Sequence, residues 1–473
     1  MGAKPKSGQQ TLIRDLTVGS VPKTLLDFAT PLFLSGMLQT LYNMIDMVVV
    51  GRVVGPAGLA AVAVGGDVLM LLTFIAMGFS NAGQVLISRF VGEQRRDKVG
   101  DMVGTLFTLL LSAAVIMMVV MFFAHNAVLD LLHCPADSRA MTRSYVVTCT
   151  SGLLFIYGYN LVSAILRGMG DSRHPFLFIA IASLINVGMD LILVAGFKLG
   201  PFGAALGTVI GQGSSFILAI RLLYRNREQF AFDFRPRSFR IHSSVIGQLL
   251  ALGIPMVIQS AAITGSMLFV NSFVNTYGVT AVAVTGIARK LENVIGIVSQ
   301  AISSAGGAMI SQALGAGKTE RVPKVVFSAF FIVLVPAAVM ALITVFHPEW
   351  LFGLFSEDAA VLALAMTYIP VALIQYLGAT LRPANFALIN GSGNSRLNLA
   401  VALLDGIVCR IGLALLLGVW LGFGIKGFWY GNAISGTVPF YIGSAYLLSG
   451  AWKKRASRPH EEAEAPEEGG IPL

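Results

Sequence analysis

Apolar runs near 20 residues long recur along this chain of 473 residues, each enough for a helix to cross roughly 30 Å of hydrocarbon. Cut at charges and at Gly or Pro, they give twelve predicted spans. The first six lie near 25 to 50, 57 to 85, 99 to 124, 141 to 165, 175 to 197 and 201 to 223. The second six lie near 246 to 273, 279 to 308, 324 to 346, 360 to 382, 397 to 420 and 425 to 449. With 55% hydrophobic and only 12% charged residues, about half the charge of a soluble domain, the chain cannot cover its surface with polar groups. The expected solvent is the lipid bilayer, and the expected fold class is an all-α membrane protein.

Charge tests this division, because alternate loops differ in Lys and Arg if the segments really cross. One set of loops, with both termini, collects 25 basic residues, Arg167 and Arg382 among them, and the opposite set only 5. Both termini are therefore expected in the cytoplasm and the protein in the cytoplasmic membrane. The net charge of +9 sits in short loops rather than on one stripe, which fits an anionic inner leaflet and not a nucleic-acid partner. Cys134, Cys149 and Cys409 show no CxxC spacing, so they read as packing residues and neither a disulfide framework nor a metal site is indicated. Residues 1 to 24 lack an apolar run with a small-residue cleavage site, so the first span is expected to serve as the insertion signal.

The chain also repeats itself. Ile87 to Val99, ISRFVGEQRRDKV, returns 223 residues later as ISQALGAGKTERV, and AILRGMGDSR from Ala164 meets ALINGSGNSR from Ala387 at the same offset. GAALG from Gly203 meets GFWYG from Gly427 at 224. Six spans per repeat is an even number, so the halves enter the membrane alike, as a parallel repeat of two six-helix bundles. The predicted organisation is an N-terminal lobe 1–223, a basic cytoplasmic linker 224–245, a C-terminal lobe 246–449, and a disordered tail 450–473 carrying EEAEAPEEGG.

An ionisable side chain inside a span costs about 2.5 to 3.5 kcal/mol at the helix centre and so marks function by default. Asp46 follows Gln39, Tyr42 and Asn43 at seven, four and three residues, which sets four polar groups on one helical face. Asn186 and Asp190 are four apart in the fifth span, and Thr208 in the sixth lies beside a stripe of Gly203, Gly207 and Gly211 that admits a close neighbour. Such oxygens can hold Na⁺ or a proton, or they can form a hydrogen-bond network gluing helices. Asp190 can also be read as solvated at an outer mouth.

The second half lacks these acids: Phe269, Cys409 and Leu413 stand 223 residues after Asp46, Asn186 and Asp190. It carries Arg289, Lys290 and Glu292 in the eighth span and Asp405 with Arg410 in the eleventh. Asp67 is the repeat partner of Lys290, so these two charges are candidates to face each other across a substrate cavity that Gln39, Arg289 and Glu292 would also line; helix-holding salt bridges are the alternative, favoured for Asp405 with Arg410. Pro31 and Pro255 match at 224. Each removes a helix hydrogen bond, and Pro31 is the candidate hinge, a static bend being the other reading.

Four segments together resemble the multidrug and toxic compound extrusion family over most of the chain: Pro31 through MIDMVVVG, the loop ISRFVGEQ, LRGMGDSRHP, and NVGMD around Asn186. An acid in span one with Asn-x-x-x-Asp in span five is similar to its DNA-damage-inducible branch. The resemblance implies two six-helix bundles, alternating access, and export of cationic or amphiphilic compounds driven by inward H⁺ or Na⁺, with no other cofactor. It also implies a cation site at Asp46, Asn186, Asp190 and Thr208 beside Tyr42, with bending at Pro31 linking protonation to release. The acids that another branch carries in spans seven and ten are missing here. The expectation is a monomeric antiporter of small organic molecules. A lipid-linked precursor flippase calls for a strongly basic cavity, whereas the in-span charges are mixed. A membrane enzyme needs a nucleophile or metal constellation, and a scaffold or receptor has no use for in-span acids.

Overall fold

The computed structural model describes residues 12–132 and 134–456. Lys4, Lys6 and the tail from Ser457 lie outside the described residues, but the start of the segment expected to be disordered, 450–473, is ordered: Ala451–Arg455 form a 3-10 turn that buries Trp452, because the indole finds an apolar seat in the second-half core.

The apolar runs form helices that overrun their predicted ends. The first half contains α1 (Val21–Val54), α2 (Pro56–Gly92), α3 (Arg96–Leu131), α4 (Ala136–Ser151), α5 (Leu153–Gly168), α6 (Arg173–Asp190) and α7 (Gly200–Arg225). The second contains α8 (Ser243–Asn275), α9 (Val279–Gly315), α10 (Arg321–Phe346), the short α11 (Pro348–Gly353), α12 (Ala359–Gly391), α13 (Ser395–Leu403), α14 (Arg410–Leu415), α15 (Gly424–Ser435) and α16 (Val438–Ser449). Ten helical segments among the described residues are long and apolar enough to cross a bilayer, and α4 with α5, bent by 50°, makes an eleventh. The twelfth predicted span is the pair α15 and α16, separated at Gly436 and Thr437. The result is an all-helical, twelve-span bundle.

Several basic residues counted in loops lie within helices, and Arg167 and Arg382 among them have partners inside the protein. Arg167 belongs to α5 and donates from Nε to the side-chain oxygen Oε1 of Gln84 at 2.7 Å, and Arg382 lies inside α12 beside Asp405. Cutting spans at charges fails where a charge has a partner inside the protein and needs no water. Both therefore leave the loop count, reducing the asymmetry without reversing it.

Hydrophobic packing does not follow the sequence boundary. The core of the second half takes in Val21, Leu25 and Phe28 from the start of α1. The core of the first half takes in Val245, Leu249 and Leu252 from the start of α8. These triplets match at the repeat offset of 224, so the halves exchange their first helical turns and cross near Pro31 and Pro255. Polar contacts fix the exchange. Arg321 of α10 donates to the carbonyl oxygen of Gly19, and Gln312 of α9 accepts from the Leu16 amide at 2.6 Å. In the other half Thr105 of α3 accepts from the His242 amide at 3.0 Å, and Asp101 accepts from the Ser244 hydroxyl.

At the end of the bundle where Leu16 and Arg455 lie, α2 and α9 cross backbone against backbone. A Cβ built on Gly92 would lie 2.1 Å from the Gln312 carbonyl oxygen, and one on Gly315 would lie 2.2 Å from that of Arg89. Gly92 and Gly315 are repeat partners, 223 apart. Ser311 donates to the Val85 carbonyl oxygen at 2.6 Å beside this crossing, and no side chain larger than hydrogen fits at either glycine.

Candidate functional site: a buried acid pair and a central cavity

The glycine stripe of α7 builds the first site. A Cβ on Gly211 would meet the Ala182 carbonyl oxygen at 2.8 Å, and one on Gly207 would meet Asp190 Oδ1 at 2.8 Å, so the missing side chains let α6 lie directly on α7. That contact carries Asn186 and Asp190 inward, with Asn186 donating to Thr208 Oγ1 at 3.4 Å. Asp190 sits where α6 widens into a π-helical turn, Leu191–Gly196, a deviation frequent at functional sites. Its side chain is wholly buried rather than solvated at a mouth.

From α1, Asp46 (3% exposed) reaches the Asp190 carboxyl, and Tyr42 packs beside Gln39, Asp46 and Gln212. The predicted polar face of α1 splits: Tyr42 and Asp46 turn inward, whereas Gln39 and Asn43 stay exposed. Asp46 Oδ1, both Asp190 oxygens, Asn186 Oδ1 and Gln212 Oε1 are buried without a hydrogen-bond partner. Acceptors withdrawn from water in this way are costly unless a positive charge or a donor joins them. What the cluster can do chemically is hold one small cation, proton or metal, between two carboxylates. Among the described residues no three His, Cys, Asp or Glu side chains converge as a metal site, so amide, hydroxyl and phenol oxygens would have to complete any Na⁺ shell. Gln212 was missed from sequence although it stands one helical turn beyond Thr208. Cys149, read as packing, is buried against Tyr145 near Asp46.

The second site is a cavity of about 490 Å³ between the halves. Met70, Phe74 and Met77 of α2 give it an apolar wall, and Gln375 and Arg382 of α12, Glu292 of α9 and Arg410 of α14 give it a polar one. Of the five residues assigned to a substrate cavity, only Glu292 lines it. Arg289 and Lys290 border a separate cavity with Glu292. Asp67, which is exposed, has Arg289 as its facing charge, and Lys290 instead lies over the Phe355 ring at 5.7 Å.

Asp405 and Arg410 form a buried ion pair at 2.9 Å, joined by Arg382 at 3.5 Å on the other carboxylate oxygen. Five residues apart, Asp405 and Arg410 would point away from each other on an α-helix. The π-helical turn Leu404–Cys409 between them repeats at i to i+5 and brings them together. The same two oxygens of one carboxylate therefore orient both arginines.

A family model described as MatE matches residues 31–192 and 255–416, two equal stretches beginning at Pro31 and Pro255. The "Probable multidrug resistance protein YpnP" of Bacillus subtilis strain 168 is 30% identical over 308 residues, 65% of this chain and 68% of that protein. The "Probable multidrug resistance protein YoeA" of the same organism is 24% identical over 92% of this chain and 95% of its own length. A solved structure titled as the outward-facing conformation of a multidrug resistance MATE family transporter superposes with a TM-score of 0.87 at 20% identity, covering 96% of this chain and all of that one; at that identity the likeness concerns fold.

Proposed function

The chain belongs to the MatE family of multidrug and toxic compound extrusion transporters, proteins that move small molecules across membranes rather than transform them, and from that premise we propose that it is an antiporter exporting cationic amphiphiles in exchange for H⁺ or Na⁺. The observation that carries the reading is the Asp46 and Asp190 pair, two carboxylates facing each other out of water with unpartnered oxygens. A pair in that setting requires a cation, and losing it leaves a repulsion that must be relieved by moving α1 away from α6. Tyr42, Asn186 and Thr208 complete the oxygen set, and α1 is free to bend at Pro31, where one backbone hydrogen bond is absent.

The same helix touches the second half. A Cβ on Gly36 would meet Ile297 of α9 at 2.9 Å, so displacement of α1 is felt in the element that carries Glu292. Glu292 is the acidic side chain lining the central cavity among the described residues, which favours a basic group on the cargo. Binding of the ion at the acid pair and binding of the cargo in the cavity thereby compete through the position of one helix. On this reading the bundle end where Leu16 and Arg455 lie faces the cytoplasm of the cell, and a single copy suffices, because acid pair and cavity are both built from one chain. Placement in the DNA-damage-inducible branch rests on the acid in α1 paired with Asn186 and Asp190.

The test is flux of a fluorescent organic cation in vesicles containing the purified protein, under a proton gradient or a sodium gradient applied separately. Wild type is expected to move dye with one gradient and Asp46→Asn with neither. Dye flux that ignores both gradients, or that persists undiminished in Asp46→Asn, refutes the assignment.

A further inference from the structure

Arg382 is the feature that cation export leaves unused. Its side chain is 28% exposed, toward the central cavity that it lines, and it contacts Asp405 through a single nitrogen at a long 3.5 Å. Its Nε is buried without a partner, and so is Nε2 of Gln259, which lines the same cavity from α8. Arg410 also has an unpartnered Nε, but both of its terminal nitrogens are engaged, donating to Asp405 Oδ1 at 2.9 Å and to Asn432 Oδ1 at 2.5 Å, and its side chain is only 4% exposed. The ion pair of Arg410 thus holds the Asp405 carboxylate still, and that carboxylate holds Arg382 in place with donors left over. A buried donor nitrogen without a partner is costly unless an acceptor arrives, and the planar fork suits a carboxylate or phosphate bound through two parallel hydrogen bonds.

We infer that Arg382, assisted by Gln259, is an anion subsite for the cargo, so that the preferred substrates are zwitterionic amphiphiles: an acidic group on Arg382, a basic group toward Glu292, and an apolar body against Met70, Phe74 and Met77. The charges on this wall fit such a molecule. Glu292 lies near Arg382, Arg410 and Arg289, so the polar wall presents both signs side by side, and a cargo of one sign leaves one of them unmatched. This inference rests on the export reading for its physiological meaning, but the subsite exists or not as a matter of binding.

Binding is therefore what the experiment reads. Purified protein is titrated with a rhodamine dye carrying a free carboxylate and, separately, with its methyl ester, which keeps the cationic ring and loses the acid; fluorescence anisotropy reports affinity. Wild type is expected to bind the acid roughly tenfold more tightly than the ester, the worth of one charge-assisted hydrogen-bonded pair. Arg382→Gln is expected to erase that preference. Arg382→Lys, which keeps the charge beside Asp405 and so guards against misfolding, is expected to reduce it by losing the fork. Equal binding of the two dyes by wild type, tighter binding of the ester, binding of neither, or a preference that survives both substitutions overturns the subsite. Asp46→Asn separates the two proposals: it is expected to keep the acid preference while losing gradient-driven flux, so a failed coupling assignment shows in flux alone.

Discussion

A single missing Cβ sets the geometry of the acid pair. At Gly207 a methyl group would fall 2.8 Å from Asp190 Oδ1, closer than side chains pack, and α7 is continuous there and cannot yield. Gly207→Ala is expected to leave insertion and expression near normal while pushing Asp190 off Asp46. Gradient-driven dye flux in vesicles should fall on the order of tenfold or more, as displacements near 1 Å do at reacting sites; unchanged flux would show that the two carboxylates need not meet. Arg410 offers the matching experiment in the second half. Arg410→Met leaves Asp405 buried with only the distant Arg382, and removal of one partner of a buried pair costs about 3 to 5 kcal/mol. The melting temperature in detergent should drop clearly, and Asp405→Leu added to it should restore most of the loss.

Much of the first site is visible in the residues alone, because a period of three to four assembles Tyr42 with Asp46 and Asn186 with Asp190, and because acids have no place facing lipid. Two features are hidden for physical reasons. Arg382 resembles a loop charge until the structure supplies its partner, and the contact of Asp405 with Arg410 depends on a π-helical turn that no local α-helical spacing announces. Which charge faces Asp67 is likewise a matter of tertiary packing, and the repeat alignment points to Lys290 where the fold provides Arg289.

At the scale of elements, the crossing of α2 and α9 is a seal made of backbone. Its two glycines sit at repeat-related positions, so the contact is nearly symmetric and neither helix can be replaced by a bulkier surface. Gly92→Leu is expected to pry the crossing apart. The readout is a cysteine introduced at Gln84, which lines the central cavity, in a background without the native cysteines. A membrane-impermeant maleimide applied from the side of the α2 and α9 crossing should label it at least several times faster in Gly92→Leu than in the parent, a difference that corresponds to about 1 kcal/mol in the equilibrium between sealed and open forms. Equal rates would place the barrier elsewhere. The bent pair α4 and α5 and the interrupted pair α15 and α16 explain why a count of uniform spans is harder than a count of apolar stretches: both spans are broken at small residues, Gly152 and Gly436, and neither break changes the apolar total.

At the scale of the whole molecule, the repeat predicts two equivalent bundles, and the fold supplies two that are interlocked and unequal. Their acids differ entirely, with a carboxylate pair in one and an arginine-rich wall in the other, so a parallel duplication has yielded two separate ligand environments. The interlocking also has a consequence for how the chain is made. Val21, Leu25 and Phe28 leave the ribosome early, yet the core they join, with Ile302, Met309 and Leu314 among its members, follows nearly 300 residues later. At roughly 5 to 20 residues per second, the opening turns of α1 wait something like a quarter of a minute to a minute for their seat. During that interval the nascent first half is an unfinished object, with an apolar helix start that has only lipid or a chaperone to rest against. The start of α8, in turn, finds its partners already in place. The order of synthesis thus makes α8 the docking event that closes the first half and α1 the last piece to settle.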